Sequence, residues 1–289
     1  MKISGFTIVR NAVRFDYPVI ESIASALPVC DEFLVAVGKS NDGTLEQIQS
    51  IASPKIRILE SEWDDSLRQG GKVLAQETDK AFRHLSPDTD WALYLQADEI
   101  LHEDDHSTLR SNLEKHLGNP RVEGLLFDYF HFYGSYDYIG DSRRWYRREV
   151  RIVRNDPGIQ SFRDAQGFRK NEKLLNVKLS GARVYHYGWV RKPEIQMERQ
   201  RQFHRLWHDD DWLEKHLPPA ESFDYHGIDS LARFNGTHPA VMKDRINRIN
   251  WEFAFDPTRK NFGWKASLLH SIERWTGWRP FEYRNYRLI

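Results

Sequence analysis

The chain reads as an α/β protein, with a mostly parallel mixed sheet flanked by helices and a helical extension behind it. Three observations predict this. Strand and helix signals alternate through the first hundred residues, as in a sheet built from crossover units. The run Trp91-Ala92-Leu93-Tyr94-Leu95 is apolar throughout, like a strand buried on both faces. It gives way to Gln96-Ala97-Asp98-Glu99, which sets carboxylates just past the strand's carboxyl end, where open α/β sheets bind ligands.

Strands are expected at residues 3–9, 33–37, 56–59 and 91–95. Between them, residues 17–27 put Val19, Ile20, Ile23, Ala24 and Leu27 at helical spacing. Residues 44–52 do so with Leu45, Ile48 and Ile51, behind a cap at Ser40 or Asp42. Residues 71–85 do so with Val73, Leu74, Phe82 and Leu85. A helix at 104–117 then leads to an aromatic strand at 124–132, a loop at 133–138 and strands at 150–153 and 177–187. From Pro193 the chain reads as mostly helical. One face carries Ile195, Phe203, Leu206, Trp207 and Leu213, and a helix opened by Pro239 carries Val241, Met242, Ile246, Ile249 and Phe253. Pro218-Pro219 separates the two.

Composition narrows the function. At 289 residues the chain can bury one large core or a core with an appendage. Its 42 basic and 42 acidic residues cancel, so no global field favours nucleic acid. Cys30, the single cysteine, excludes an internal disulfide and reads as a packed side chain. Met1-Lys2-Ile3 enters the first strand without a signal-peptide hydrophobic region. No apolar stretch reaches the roughly 18 to 20 residues of a membrane span. A cytoplasmic enzyme is expected, with peripheral contact at the inner face of the membrane as a further option.

Four segments in order carry a resemblance. Gly5-Phe6-Thr7-Ile8-Val9-Arg10-Asn11 is a strand closing on a polar pair. Phe33 to Glu46 contains the turn Gly38-Lys39-Ser40-Asn41-Asp42-Gly43-Thr44. Gly70-Gly71-Lys72-Val73-Leu74-Ala75 opens a helix, and Gln96-Ala97-Asp98 stands where an Asp-x-Asp motif belongs. Together they resemble the family-2 nucleotide-sugar glycosyltransferases of the GT-A fold, over roughly residues 3–190. The resemblance implies a GT-A-like, Rossmann-type domain at 1–190 with a helical extension at 191–289. It also implies a nucleotide diphospho-sugar donor, a glycan, lipid-linked or other acceptor, inverting transfer of the kind used in polysaccharide biosynthesis, and a divalent cation, Mn²⁺ or Mg²⁺. Two departures bear on this. Val37, Gly38 and Lys39 stand where the family has acids that contact the base, and Gln96 replaces the first Asp of Asp-x-Asp.

Candidate residues follow. Asp98 is a hard oxygen ligand for such a cation, or a helix cap together with Glu99. His186, ending a late strand beside Gly188, is the expected second ligand; the alternative is a hydrogen-bonded, half-buried histidine. Gln96 would reach a ribose. Lys72, just inside a helix, faces phosphate or solvent. Arg10 and Asn11 touch base or ribose, or Asn11 merely forms a turn. For the acceptor base the family position points to Asp164, then Glu172, then Asp137.

Two clusters stand apart. Arg143, Arg144, Arg147, Arg148, Arg151 and Arg154, interleaved with Trp145 and Tyr146, read as a phosphate clamp, a nucleic-acid patch or a face paired with acids, and the zero net charge disfavours nucleic acid. The stretch 257–289 joins basic residues to Phe262, Trp264, Trp275, Trp278, Phe281, Tyr283 and Tyr286. It suits a peripheral membrane contact, a homodimer or packing on the core. Two other functions stay open: a sugar-nucleotide nucleotidyltransferase, although Arg10-Asn11-Ala12-Val13-Arg14 lacks the glycine-rich loop it would need, and a non-catalytic nucleotide- or glycan-binding protein.

Overall fold

The computed structural model describes residues 1–67, 70–216 and 221–289; the expected Pro218-Pro219 break lies outside them. In chain order the first hundred residues form β1 (Ile3–Val9), α1 (Val19–Ala26), β2 (Glu32–Gly38), α2 (Thr44–Gln49), β3 (Ile56–Ser61), α3 (Lys72–Arg83) and β4 (Trp91–Tyr94). Then come β5 (Glu99–Leu101), α4 (His106–Leu117), β6 (Gly124–Tyr133), β7 (Ser135–Gly140) and β8 (Arg148–Arg154). A small antiparallel sheet of β9 (Ile159–Phe162), β10 (Gly167–Lys170) and β11 (Lys173–Leu174) precedes the long β12 (Asn176–Trp189). Behind it lie α5 (Pro193–Arg205), α6 (Asp210–His216), β13 (Leu231–Arg233), α7 (Lys243–Asn247), α8 (Trp264–Thr276) and β14 (Arg287–Leu288).

The main sheet runs β13-β7-β6-β8-β4-β1-β2-β3, with β12 joined to β6, β5 and β14. Its β3-β2-β1-β4 half is parallel, and β8 turns antiparallel against β4. This is the α/β arrangement the sequence predicts.

Period-2 alternation assigns the faces. Phe33, Val35 and Val37 of β2 join Trp91 and Leu93 of β4 under Val19 and Ile23 of α1, Ile48 of α2 and Leu109 of α4. The intervening Leu34, Ala36, Ala92 and Tyr94 point the other way, onto Ala81 and Phe82 of α3 and Phe168 of β10. Because both faces are covered, these strands carry apolar side chains on each side, and β1 is buried along its whole length. Cys30 is packed within the first of these layers.

Three expectations are corrected. Residues 133–138 do not form a loop: Gly134, at φ +73°, turns β6 tightly into β7, and Tyr136 and Tyr138 point inward while Asp137 points out. The helix expected behind Pro239 is a 3-10 turn, Ala240–Met242, and the five-residue α7. Met242, Ile246 and Ile249 still pack on the aromatic cluster of Phe132 and Tyr187, but Asn247 and Asn250 favour turns over further helix. Residues after 191 are less helical than expected, since β13 and β14 pair into the main sheet. Among the described residues no helix is long and apolar enough to cross a membrane.

Candidate active site

The parallel strands bring three segments to one rim. β1 runs out into Arg10 and Asn11, where Asn11 takes a left-handed conformation (φ +55°) and its N–H donates to Ser40 Oγ at 3.0 Å. β4 runs out into Gln96 and Asp98. β5 then pairs with β12 so that Glu99 lies opposite His186, and the Tyr187 N–H donates to the Asp98 carbonyl at 2.9 Å. Sheet register therefore holds Asp98 against His186.

The adjacent carboxylates part company. Glu99 is buried in β5 and takes two bonds from Arg151 at 2.8 Å each, one from the Tyr129 hydroxyl at 2.9 Å and one from the Gln96 N–H at 3.0 Å. That set leaves it no capacity for an ion and no helix to cap; His102 caps the turn that follows. Asp98 is also buried, yet it makes no such bonds. Its Oδ1 lies 3.7 Å from His186 Nε2, and its Oδ2 lies 3.6 Å from Arg199 and 3.9 Å from Arg191. Burial pushes its pKa up, but the positive charge around it, with Arg199 and Arg191 on its Oδ2, holds it below the ordinary carboxylate value. Asp98 is ionised.

The histidine tautomers follow from a chain of partners. The Tyr146 carbonyl can only accept, so His131 Nε2, at 2.8 Å, carries its proton. Burial keeps the His131 ring well below its usual basicity, hence neutral, and its Nδ1 is bare. His186 Nδ1, 3.1 Å away, must then donate to it. That leaves a lone pair on His186 Nε2, and burial keeps this ring neutral too. A bare nitrogen and a carboxylate oxygen face each other across 3.7 Å. Such a pair repels unless something positive lies between. Gly188 keeps the space clear: a Cβ there would come within 2.5 Å of His186 Nε2 and 2.9 Å of Asp98 Oδ2.

This donor set fits a divalent cation. One hard oxygen and one imidazole nitrogen converge from different elements, close enough for one ion to span with bonds of about 2.1 Å. The two guanidiniums lie on the other oxygen of Asp98. Among the described residues no three His, Cys, Asp or Glu cluster, so the remaining positions of an ion would fall to solvent and substrate oxygens.

Two adjoining hollows open from this point and share Leu74, Gln96, Asp164, Arg199 and Phe203. One, holding about 140 Å³, is lined by Arg10, Asn11, Tyr17, Trp63 and Asp98. The other is lined by His186, Tyr146, Trp189 and Trp207. The second, about 660 Å³, matches the size of ligand sites, and its aromatic faces suit the apolar face of a sugar ring. Asp164 stands between them in the β9–β10 turn, half-buried, and loss of water raises its pKa. Gly71, at φ +67°, packs on it so closely that a Cβ would lie 2.6 Å from the Asp164 Cβ.

Of the residues singled out from sequence, Arg10, Asn11, Gln96, Asp98, Asp164 and His186 meet around these hollows. Arg10 is tied at the rim by Asp65 and lies over the Trp63 ring. Lys72, Glu172 and Asp137 line neither hollow. Lys72 is exposed at the first turn of α3 and borders a separate depression with Trp207 and Trp212. Glu172 is exposed in the turn between β10 and β11, and Asp137 is exposed on β7. The arginine cluster is largely paired internally: Arg143 to Glu273, Arg147 to Glu282, Arg148 to Asp128 and Arg151 to Glu99. Sequence reasoning missed Arg191, Arg199, His131 and Trp63. Gln196, Arg199, Gln200 and Phe203 at helical spacing were a signal for Arg199, as a polar stripe running into an aromatic one. Trp63 packs directly over Gly38, which has no side chain to exclude its indole.

No protein-family model matches the chain, and no curated protein matches it. Solved structures similar to it include Staphylococcus aureus TarS residues 1–349 in complex with UDP, at 13 to 14% identity and a TM-score of 0.39 to 0.41 across its forms. In the UDP complex the match covers 70% of this chain and 64% of that one; against the longer TarS chain this protein spans 41% of its length. Glucosyl-3-phosphoglycerate synthase from Mycobacterium tuberculosis, with Mn²⁺, UDP and glucosyl-3-phosphoglycerate, is 19% identical over 46% of this chain and 45% of its own, at a TM-score of 0.30. A 4-diphosphocytidyl-2C-methyl-D-erythritol synthase from Anaerococcus prevotii is 11% identical over 53% of this chain and 71% of its own, at 0.35. At such similarity the functional reading has to come from the site itself.

Proposed function

We propose that the chain is a GT-A-like glycosyltransferase that moves a sugar from a nucleotide diphospho-sugar to a hydroxyl on a glycan or lipid-linked acceptor. The observation that carries this reading is His186 Nε2 facing Asp98 Oδ1 across 3.7 Å at the carboxyl rim of β1 and β4, between two adjoining hollows. A divalent cation, Mn²⁺ or Mg²⁺, held by Asp98 and His186 would neutralise the diphosphate as it leaves. Arg199, which lines both hollows, adds a fork of donors for phosphate oxygens. Arg10, Asn11 and Gln96 border the hollow that would take the nucleoside.

Asp164 takes the proton of the acceptor hydroxyl. The freed oxygen forms its bond to the sugar's anomeric carbon as the bond from that carbon to the diphosphate oxygen breaks, and the electron pair departs with the nucleoside diphosphate. One displacement inverts the anomeric centre. A base must be ionised to act, and desolvation raises Asp164, so the acid limb of the kcat/KM profile should lie above the ordinary aspartate value. Asp164→Asn is expected to lower kcat by about 10²- to 10⁴-fold with donor affinity unchanged. Calorimetric donor titration beside a product assay checks this. Nucleoside diphosphate release marks sugar transfer, pyrophosphate release would mark nucleotidyl transfer, and donor binding without turnover would mark a binding protein. Collapse of donor affinity in the variant would move Asp164 out of the base role.

The histidine chain adds a test that needs no turnover. His131→Phe leaves the His186 Nδ1–H without an acceptor and frees the ring to present the wrong nitrogen. Mn²⁺ affinity should fall about 10- to 100-fold, as for other groups that orient a metal ligand. Unchanged affinity in a Mn²⁺ titration followed by electron paramagnetic resonance would remove His131 from that role.

A further inference from the structure

The stretch from α8 to Tyr283 presents its apolar side chains outward. No residue of α8 is buried, and Trp264 (73% exposed), Leu268 (57%) and Trp275 (92%) follow one line along it at helical spacing. Past the left-handed cap at Gly277 the line continues through Trp278, Phe281 (93% exposed) and Tyr283. Phe281 holds its exposed position at φ +59°, a conformation that a bulky residue rarely adopts.

Charge is sorted with equal consistency. Glu273 and Glu282, the acids of residues 257–289, turn inward onto Arg143, Arg147 and Arg279. Lys265 and Arg274 remain exposed beside the aromatic line, as does Arg284, which also lies 3.5 Å from Glu282. We infer that this face docks on an anionic lipid bilayer, its tryptophans at the headgroup boundary and its cations on the lipid phosphates. Charge complementarity selects that occupant. A second copy packed about a two-fold axis would set this basic face against an identical basic face, whereas an anionic surface complements it.

The face is also coupled to the cleft. Arg143 and Arg147, which hold the tail, lie on the same loop between β7 and β8 as Tyr146, which lines the cleft and fixes the His131 tautomer. A docked protein would thus present its cleft near the lipid surface. Only the delivery of a lipid-linked acceptor rests on the transfer proposed above; docking does not.

The test is co-sedimentation of the full chain with phosphatidylcholine vesicles, with and without about 30% phosphatidylglycerol. Binding is expected with the anionic lipid, falling about tenfold in its absence or in 0.5 M salt, where charges are screened beyond about 4 Å. Trp275→Ala/Trp278→Ala should weaken it about tenfold while melting with the wild type, because both side chains are exposed. Lys265→Glu/Arg274→Glu should abolish the preference for anionic lipid. Wild type that ignores anionic vesicles overturns the inference. So does light scattering that finds a dimer which the tryptophan variant dissolves, since the face would then belong to a second copy.

Discussion

Asp98→Asn should abolish the dependence of nucleotide binding on divalent cations and lower transfer at least a thousandfold. Asparagine keeps the shape of the side chain and removes the one negative charge that faces His186 and that Arg191 and Arg199 share. The proposed ion loses its hard anionic ligand, and the leaving diphosphate loses a stabilisation worth several kcal/mol. The variant also leaves Arg191 and Arg199 without a counterion. Arg191 is fully buried, with its Nε and one terminal nitrogen already lacking protein partners, so part of the loss will be in stability, about 3 kcal/mol. The two effects separate by measurement. Circular dichroism and melting report the fold, while Mn²⁺ titration with and without nucleoside diphosphate reports the site. Wild-type turnover in excess chelator, or Mn²⁺-dependent nucleotide binding that survives in the variant, would remove the cation from Asp98.

The central strands were legible because their runs are apolar on both faces, broken only by Ser4 and Thr7 in β1 and by Glu32 at the start of β2. That pattern survives in β1, β2 and β4, whose two faces are both covered by helices or hairpins. The pairing of Asp98 with His186 was legible only through motif order. The residues that tune it were not. His131 reaches His186 because β6 and β12 pair in that register, and Arg199 arrives on a helix about a hundred residues after Asp98. No local period encodes such contacts. β7 was misread because tyrosine, glycine and serine resemble a loop, although the inward Tyr136 and Tyr138 alternate about Asp137 as a strand requires. β5 escaped because three residues beginning with a glutamate give no strand signal; its charge is admitted to the core only by a partner 52 residues later. The outward tail aromatics show the reverse: composition suggested core packing as readily as docking, and only exposure separates the two.

That distant partner sets the largest expected effect on folding. Arg151 and Glu99 are both buried, joined by two 2.8 Å bonds, and Arg151 also donates to the Gln166 carbonyl in the turn that carries Asp164. Burial alone would disfavour the guanidinium's charge; Glu99 and the tyrosine hydroxyls around it more than restore it. Arg151→Met fills much of the volume but leaves Glu99 with the Tyr129 hydroxyl and the Gln96 N–H and no cation. Removing one member of a buried pair costs about 3–5 kcal/mol, because the remaining charge is neither solvated nor paired. At about 2–4 °C per kcal/mol for a domain near this size, the melting temperature should fall by roughly 10 °C. Asp164 should loosen as well, through the lost bond to Gln166. Glu99→Gln/Arg151→Met removes the stranded charge while keeping an acceptor for the Tyr129 hydroxyl, so it should recover at least half of that loss. A double-mutant cycle on denaturant unfolding measures the coupling. Additive losses would show that the two side chains act independently. Strong coupling with wild-type turnover in the double variant would make the pair a support of the sheet alone; strong coupling with turnover still impaired would show that Arg151 also positions the base through Gln166.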